Sequence, residues 1–305
     1  MHDHIEEMGQ NIVRRLHPNE PYKHSRLWIA KEIHDIFVED KGTEATRCIK
    51  VRKVGLVNVM KGLGKMNELR LLVVACKMKV NDVEYSSASD YDSIFGYSKS
   101  YKDDVGYNSI FGYSKSYNDD VDYNSIFGFI KSYNDDVDLD YNDDVDLDNM
   151  DVNEDSLYLP NGLQYLYWYG YPFTCLPKEF HAKNLVGLKM HSSNIDQLWK
   201  AGEEKDLKKL KFIDFTHCKL RSLDIRLIQN LKRLKLECEN LTELHVPVEN
   251  IKFESLILNN SKLRTLDLSW AQNIIMLNVE RCEYLVALHM PIEKFNLKSI
   301  YIKKL

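Results

Sequence analysis

The chain has 305 residues, of which 44% are hydrophobic, so it can build a core in one or two domains. Its net charge is -5, but residues 82–155 hold 20 Asp and Glu against 4 Lys, which makes this segment strongly acidic and the remainder basic. The basic residues are dispersed, and the sequence has no nucleic-acid motif and no apolar run of about 18 residues. Composition therefore favours a cytoplasmic, or nuclear, protein that binds neither nucleic acid nor a membrane.

Two helices and two strands are predicted before the acidic segment. The first helix spans residues 3–16, where Asp3 stands at the N-cap position and apolar residues recur every three or four positions. The second helix is predicted at about 29–39. The strands are predicted at 46–54 and 69–74, and they are interpreted as the first coil, or the cap, of a repeat array.

The acidic segment contains three copies of a 16-residue unit over residues 91–138, which start at Tyr91, Tyr107 and Tyr123. Its composition is rich in Asp, Ser and Asn and poor in aliphatic residues, so we expect it to be disordered. Two alternatives remain open. Residues 140–144 begin like a calcium-binding EF-hand loop, although Val145 stands where glycine is needed, and the three copies could instead stack as a small β-solenoid.

One spacing organises residues 163–305. An apolar residue, two residues, an apolar residue, one residue and a third apolar residue form a motif that returns at intervals of 21 to 25 residues. The seven motifs begin at Leu163, Leu185, Leu210, Leu231, Phe253, Ile274 and Leu297. This is the leucine-rich-repeat period, in which the last two apolar residues face the same side of a short strand. The sequence therefore predicts an α/β leucine-rich-repeat solenoid with parallel strands on its concave face.

The six cysteines are far apart in the sequence and form no C-x-x-C motif, so the sequence indicates no metal site. Cys218 and Cys282 fall in the turns that follow predicted strands, where repeats hold a small, buried polar residue. We expect both to be reduced scaffold residues.

Several motifs resemble those of plant TIR-NB-LRR disease-resistance proteins, in the order in which that family has them. Met1-His-Asp-His resembles the MHD segment that closes the family's NB-ARC nucleotide-binding region, and Met66-Asn-Glu-Leu-Arg-Leu-Leu72 continues the match. Leu159-Pro-Asn-Gly-Leu and Ile195-Asp-Gln-Leu-Trp199 resemble the family's first repeats. The resemblance covers about 230 residues and implies a role in plant defense and signal transduction.

This resemblance divides the chain into four parts. They are a remnant of the winged-helix end of NB-ARC at 1–45, a linker with the first strand or cap at 46–80, the acidic insert at 81–156 and the leucine-rich repeats at 157–305.

The family's phosphate-binding loop does not occur in this sequence, and the nearest segment to it is Gly62-Leu-Gly64-Lys65-Met66. In the family, the histidine that corresponds to His2 faces the phosphates of a bound nucleotide. Without the loop around it, we expect no cofactor here, no catalytic residue and no metal, although ADP is the cofactor of the full-length family.

The outward-facing residues of the predicted strands line the concave face, which is the large rigid surface of a repeat protein. Their mixture of aromatic residues and charges of both signs suits protein recognition. The candidate protein-binding residues are Tyr165, Tyr167, Tyr169, Lys189, His191, Phe212, Asp214, Arg233, Lys235, Glu237, Asn259, Asn278, Glu280 and Tyr301.

The predicted function is that of a non-catalytic recognition module, the sensor part of an intracellular immune receptor. Its partner would be a pathogen effector, a guarded host protein or another receptor chain. Two alternatives remain open: an ADP/ATP-dependent switch, if a nucleotide-binding domain precedes Met1 in the full gene, and a receptor gene fragment without function.

The two ends of the array are expected to differ. A solenoid exposes an apolar edge at each end unless a cap covers it. The segments before residue 75 offer a cap at the N-terminal edge, whereas the chain stops at Leu305, directly after the last motif. The sequence therefore predicts an open edge at residues 297–302 that frays and associates with other edges.

Overall fold

A computed structural model describes residues 3–52, 56–75, 157–200, 202–203, 205–290 and 297–303. The acidic insert, with its predicted disorder and its two alternatives, lies outside these residues, as does His2. Helix α1 is Asp3–Arg15, which agrees with the predicted helix, and it is described by itself. Its apolar side chains Met8 and Ile12 are exposed, and Arg14 and Arg15 stand in its last turn, where positive charge is favourable.

The first elements of the repeat unit are β1 (Arg26–Leu27), α2 (Ala30–Val38), β2 (Cys48–Arg52), α3 (Leu56–Leu63) and β3 (Leu71–Ala75), with a 3-10 helix at Pro21–Lys23 before them. The predicted helix and both predicted strands are confirmed. Helix α3 was not predicted, because eight residues with two valines give only a weak helical pattern.

Gly62 lies in α3 and has a packing role. A Cβ atom at this position would lie 1.9 Å from Cδ1 of Phe37, a buried residue of α2. The absence of a side chain therefore lets the two helices approach each other closely. Gly62 and Leu63, which begin the segment nearest in sequence to a phosphate-binding loop, thus belong to a helix pair.

The remaining strands of the array lie on both sides of the coils, and from β6 onward they alternate between the two sides. They are β4 (Tyr165–Tyr169), β5 (Gly187–His191), β6 (Phe212–Thr216), β7 (Ser222–Asp224), β8 (Arg233–Glu237), β9 (Glu243–His245), β10 (Ser255–Asn259), β11 (Thr265–Asp267), β12 (Met276–Glu280), β13 (Ala287–His289) and β14 (Ser299–Lys303).

Ten of the strands form one parallel sheet in the order β1-β2-β3-β4-β5-β6-β8-β10-β12-β14. The strands at 48–52 and 71–75 therefore belong to coils of the repeat array itself. Strand β3 pairs directly with β4, with Leu71 opposite Tyr165, although the insert separates them in the sequence. The parallel order confirms the predicted leucine-rich-repeat solenoid.

The inward-facing residues of β4 to β12 form the core. The last two apolar residues of the six motifs in these strands are each at most 2% exposed; they are Leu166, Trp168, Leu188, Met190, Ile213, Phe215, Leu234, Leu236, Leu256, Leu258, Leu277 and Val279. Burying one aliphatic side chain of this size stabilises a fold by about 1.5–3 kcal/mol, so stacking of coils is the main source of stability.

The opposite side of the coils carries two short sheets, in which β7 pairs with β9 and β11 pairs with β13. Two of these strands, β7 and β11, end in the same way, with an aspartate whose side chain accepts a hydrogen bond from the backbone amide two residues further on. Oδ1 of Asp224 accepts a hydrogen bond from the amide of Arg226 at 3.0 Å, and Oδ1 of Asp267 accepts one from the amide of Ser269 at 2.9 Å. Equivalent residues thus make equivalent contacts, as expected for a repeat.

The turns after β5, β6, β10 and β12 each contain a small, buried polar residue, as predicted for Cys218 and Cys282; the other two are Ser193 and Ser261. Both side chains are buried, and Sγ of Cys218 donates to the carbonyl of Met190 in the previous coil at 3.4 Å. Sγ of Cys282 donates to the carbonyl of Leu258 at 3.5 Å. Both cysteines are free, so they serve the scaffold by satisfying carbonyls between coils.

Strand β14 lies at one edge of the sheet and pairs with β12 alone in the part that the structure describes. Ile300 is 56% exposed and Ile302 50%, whereas their partners Leu277 and Val279 in β12 are buried. Among the described residues, the apolar side chains of β14 are therefore exposed, as the sequence predicts for this motif.

We expect the amides of 299–303 to exchange with solvent much faster than those of 212–216 in β6, because no further coil packs on β14 among the described residues. Hydrogen exchange of a dilute sample of residues 1–305 measures this difference. Equal protection of the two strands would contradict the open edge.

Candidate protein-binding face

The concave face consists of the side chains at positions one, three and five of the long strands. The strand register places them in three rows. From β4 to β14, row one is Tyr165, Gly187, Phe212, Arg233, Ser255, Met276 and Ser299; row two is Tyr167, Lys189, Asp214, Lys235, Ile257, Asn278 and Tyr301; row three is Tyr169, His191, Thr216, Glu237, Asn259, Glu280 and Lys303. All fourteen predicted residues lie on this face, and their role in binding stays a prediction.

An ion cluster occupies the middle of row two. Nζ of Lys189 lies 3.5 Å from Oδ2 of Asp214, and Nζ of Lys235 lies 3.7 Å from Oδ1 of the same carboxylate. The hydroxyl of Thr216 donates to Oδ1 of Asp214 at 2.9 Å. The side chains of Lys189 and Asp214 are only 20% and 16% exposed, so water screens this cluster weakly.

The surroundings shift the pKa values of this cluster. Burial alone would raise the pKa of Asp214, but Lys189, Lys235 and the Thr216 hydroxyl outweigh it and hold the pKa of this carboxyl below its ordinary value. Burial lowers the pKa of Lys189, and the attraction of Asp214 offsets only part of that effect. The carboxylate is therefore well stabilised where it lies.

Cations lie over aromatic rings on neighbouring strands. Nζ of Lys189 lies 5.0 Å from the ring centre of Tyr167, and the guanidinium of Arg233 lies 5.9 Å from the ring centre of Phe212. Both distances are within the range of cation–π attraction. Gly187 makes room for a further ring, since a Cβ atom there would lie 2.8 Å from Cδ1 of Tyr165.

At the start of row three, Tyr169 and His191 belong to a group of aromatic rings that contact each other at tilted angles. The ring centres of Tyr169 and His191 are 5.5 Å apart, and those of His191 and His217 are 5.7 Å apart. Burial is the main cause that lowers the pKa of His191 to about 3, and Lys189 adds to the effect. His191 is therefore neutral at physiological pH and adds no positive charge beside Lys189.

The remaining predicted residues lie further along the sheet. Glu237 is in β8, next to the strand of Asp214, and the others are two to four strands away; they are Asn259, Asn278, Glu280 and Tyr301. Asn278 is 7% exposed, whereas Tyr301 in the edge strand is 43% exposed. Glu237 and Glu280 make the part of row three on β8 to β12 acidic, and Oε1 of Glu237 accepts a hydrogen bond from Nδ2 of Asn260 at 3.5 Å. The structure therefore separates a basic centre on rows one and two from an acidic part of row three.

The predicted set of face residues lacks those on β2 and β3, where the face begins, and it lacks His217 beside the face. Row two extends through Val73 to Lys50, which is only 3% exposed. The spacing of Ile49 and Val51 matches the last two apolar positions of the repeat motif and so indicated this strand, although Thr46 stands where the motif has its first apolar residue. Nothing in the sequence pointed to His217, which follows β6 with a φ of 54° and whose ring lies beside that of His191.

The described residues contain no group of three His, Cys, Asp or Glu side chains placed to hold a metal ion. In the same part of the chain, no helix is long and apolar enough to cross a membrane. The candidate nucleotide residue, His2, lies outside it, so its role stays a prediction.

Comparisons with known proteins agree with the motifs and the fold. The chain is 29% identical over 258 residues to the disease resistance protein RPV1 of Vitis rotundifolia, a match that covers 83% of this chain and 15% of RPV1. It is 29% identical over 259 residues to RUN1 of the same plant, with coverages of 83% and 16%. The match to RPP2A of Arabidopsis thaliana is 26% over 310 residues and covers 98% of this chain and 18% of RPP2A.

No family model matches the chain. The relatives nevertheless confirm the resemblance to plant TIR-NB-LRR disease-resistance proteins over most of the sequence. The chain spans less than a fifth of the length of these three relatives.

The low pKa of His191 makes stability depend on pH. Below about pH 6.5 the unfolded chain binds a proton at this residue, whereas the folded chain does so only near pH 3. Stability should therefore be complete above about pH 6.5 and fall as the pH is lowered towards 3, by at most about 1.4 kcal/mol per pH unit. Urea denaturation at several pH values should show a shallower fall for His191→Gln than for wild type, while the exposed control His181→Gln keeps the wild-type slope. Equal slopes for wild type and His191→Gln would contradict this prediction.

The clearance at Gly187 gives a second prediction. Gly187→Ala should destabilise the fold by about 1 kcal/mol, because the ring of Tyr165 must move. In a Tyr165→Ala background the same change should be neutral or stabilise by up to about 1 kcal/mol, since alanine loses less conformational entropy in a strand. Urea denaturation of the four chains measures the difference, and an equal effect in both backgrounds would refute the steric explanation.

Proposed function

We propose that this chain is a non-catalytic protein-recognition module, the sensor part of a plant immune receptor that acts in the cytoplasm. The observation that carries the proposal is the ion cluster of Lys189, Asp214 and Lys235, which aromatic residues flank on a rigid parallel sheet. Side chains held in place by ion pairs and rings lose little conformational freedom when a partner binds. The similarity to disease resistance proteins supports a role in defense.

The partner that fits this face is a protein. Aromatic side chains and arginine are the residues most often found at the centre of protein interfaces, and Tyr167, Phe212 and Arg233 lie on rows one and two around Asp214. The partner would be a pathogen effector, a guarded host protein or another receptor chain. No cofactor takes part in this proposal.

The test compares three full-length chains in leaf tissue by proximity labelling. One is wild type, the second carries Arg233→Glu and Lys235→Glu on the concave face, and the third is the control with Lys219→Glu and Arg221→Glu. Lys219 and Arg221 are exposed and lie between β6 and β7, off the face, so both variants change the net charge equally.

We expect at least one protein that wild type and control label equally and that the face variant labels at least about tenfold less, as reversal of charge at a binding hot spot predicts. Identical sets for all three chains would contradict recognition by this face. Saturable binding of ADP to residues 1–305 in calorimetry would instead favour a nucleotide-dependent switch.

A further inference from the structure

The edge strand β14 turns half of its backbone groups away from the array. Its first and last residues bond to the residues that flank β12: the amide of Ser299 donates at 3.2 Å, and the carbonyl of Lys303 accepts at 3.1 Å. Since alternate residues of a parallel strand bond to the same neighbour, the amides and carbonyls of Ile300 and Ile302 point to the opposite side. The described part of the chain places no further strand there.

Apolar side chains are exposed along the same edge. Ile300 is 56% exposed and Ile302 50%, at the two positions where the long strands from β4 to β12 hold buried residues. On the opposite side of the coils, Val286 lies directly before β13, the last strand of its short sheet, and is 80% exposed. A partner that covers this edge therefore gains both backbone hydrogen bonds and burial of apolar surface.

The sequence of β14 is complementary to itself in the antiparallel direction. When Tyr301 lies opposite the same residue of a second copy, Ile300 of each copy lies opposite Ile302 of the other. The outward amides and carbonyls of these two residues then meet, and each pair exchanges two hydrogen bonds. The isoleucines also share one side of the joined sheet, so they pack on each other. Lys303 lies opposite Ser299, so this pairing places no two like charges of 299–303 directly opposite each other.

The other end of the sheet offers no comparable strand among the described residues. Strand β1 has only two residues, and Leu27 within it is 1% exposed. Stacking of β14 on β1 of another copy would therefore bury little apolar surface, and each added copy would leave another β14 open. Pairing of β14 with β14 instead covers both open edges at once and closes at two copies. Self-complementarity thus favours a second copy of this chain as the occupant of the edge.

We propose that the chain forms a symmetric dimer, in which β14 pairs antiparallel with β14 of a second copy about Tyr301. The contact is small, so the dimer is weak, with a Kd in roughly the micromolar to millimolar range. It joins two ten-stranded sheets at their edges and gives one assembly two copies of the concave face. Dimerisation depends on β14 and is independent of the ion cluster at Asp214 and of the proposed function.

The first test is sedimentation equilibrium of residues 1–305 at concentrations up to about a millimolar, where wild type should show a monomer–dimer equilibrium. Ile302→Pro removes an amide that points away from β12, so β14 keeps its bonds to the array while each dimer loses two hydrogen bonds. We expect Kd to rise at least about tenfold for this variant and for Ile300→Lys, which places a charge on the edge. The control Val248→Lys changes a 99% exposed residue between β9 and β10 and should match wild type.

Hydrogen exchange of residues 212–216 in β6 shows that each variant keeps the fold of the array. A wild type that stays monomeric over the whole concentration range would overturn the proposal. Open-ended oligomers larger than a dimer would overturn it as well, since they indicate head-to-tail stacking. An equal Kd for wild type and both β14 variants would show that association uses another surface.

The second test maps the register and leaves both isoleucines in place. Tyr301→Cys puts two thiols at a directly opposed pair whose Cα atoms are about 4.5 Å apart, close enough for a disulfide. We expect a covalent dimer under mild oxidation, with the link at position 301 identified by mass spectrometry. Ser299→Cys and Lys303→Cys should each form none alone, because identical positions are there about 13 Å apart, whereas a mixture of these two variants should form one.

Links that Ser299→Cys alone forms as fast as Tyr301→Cys would overturn the antiparallel pairing, since only a parallel arrangement places every residue beside its own copy. The absence of a link in Tyr301→Cys would overturn the dimer itself.

Discussion

The in-register pairing of parallel strands is the constraint on which the whole array depends. From Arg26 to Lys303, every long strand pairs with the next at a fixed register, so each coil places its apolar residues against the same residues of its neighbours. No single coil could bury these side chains alone. Contacts that satisfy backbone groups, such as the thiol of Cys218 with the carbonyl of Met190, also run from coil to coil.

The same register creates an electrostatic problem on the concave face. Side chains at equal positions of neighbouring strands stand about 4.8 Å apart, so two like charges in one row repel each other strongly. Row two avoids this by placing Asp214 between Lys189 and Lys235. Row one places its cation, Arg233, over the ring of Phe212. The arrangement of charges on this face is thus tied to the geometry of the sheet.

The point at which the insert enters also follows from the repeat. A coil has its connection on the outside, and a connection can lengthen at small cost in loop entropy, because that cost grows only with the logarithm of length. Strands β3 and β4 consequently pair as closely as any other two strands, although many residues separate them in the sequence. The similarity to disease resistance proteins on both sides of the insert is consistent with an array that accepts additions between coils.

The sequence by itself determined the period, the strands and the three rows, because the L-x-x-L-x-L spacing fixes which residues face inward and which face outward. It also indicated the buried cysteines, since their place in the turn repeats. The tertiary structure alone decided that Lys189 and Lys235 share Asp214, that Gly187 makes room for Tyr165 and that the ring of His217 lies beside that of His191. These contacts join residues about 20 or more positions apart or lie in a turn, and they depend on side-chain directions that no linear spacing specifies. Helix α3 was not predicted for a related reason. Its sequence pattern is short, and its close packing on Phe37, which explains the glycine at position 62, is seen only in the tertiary structure.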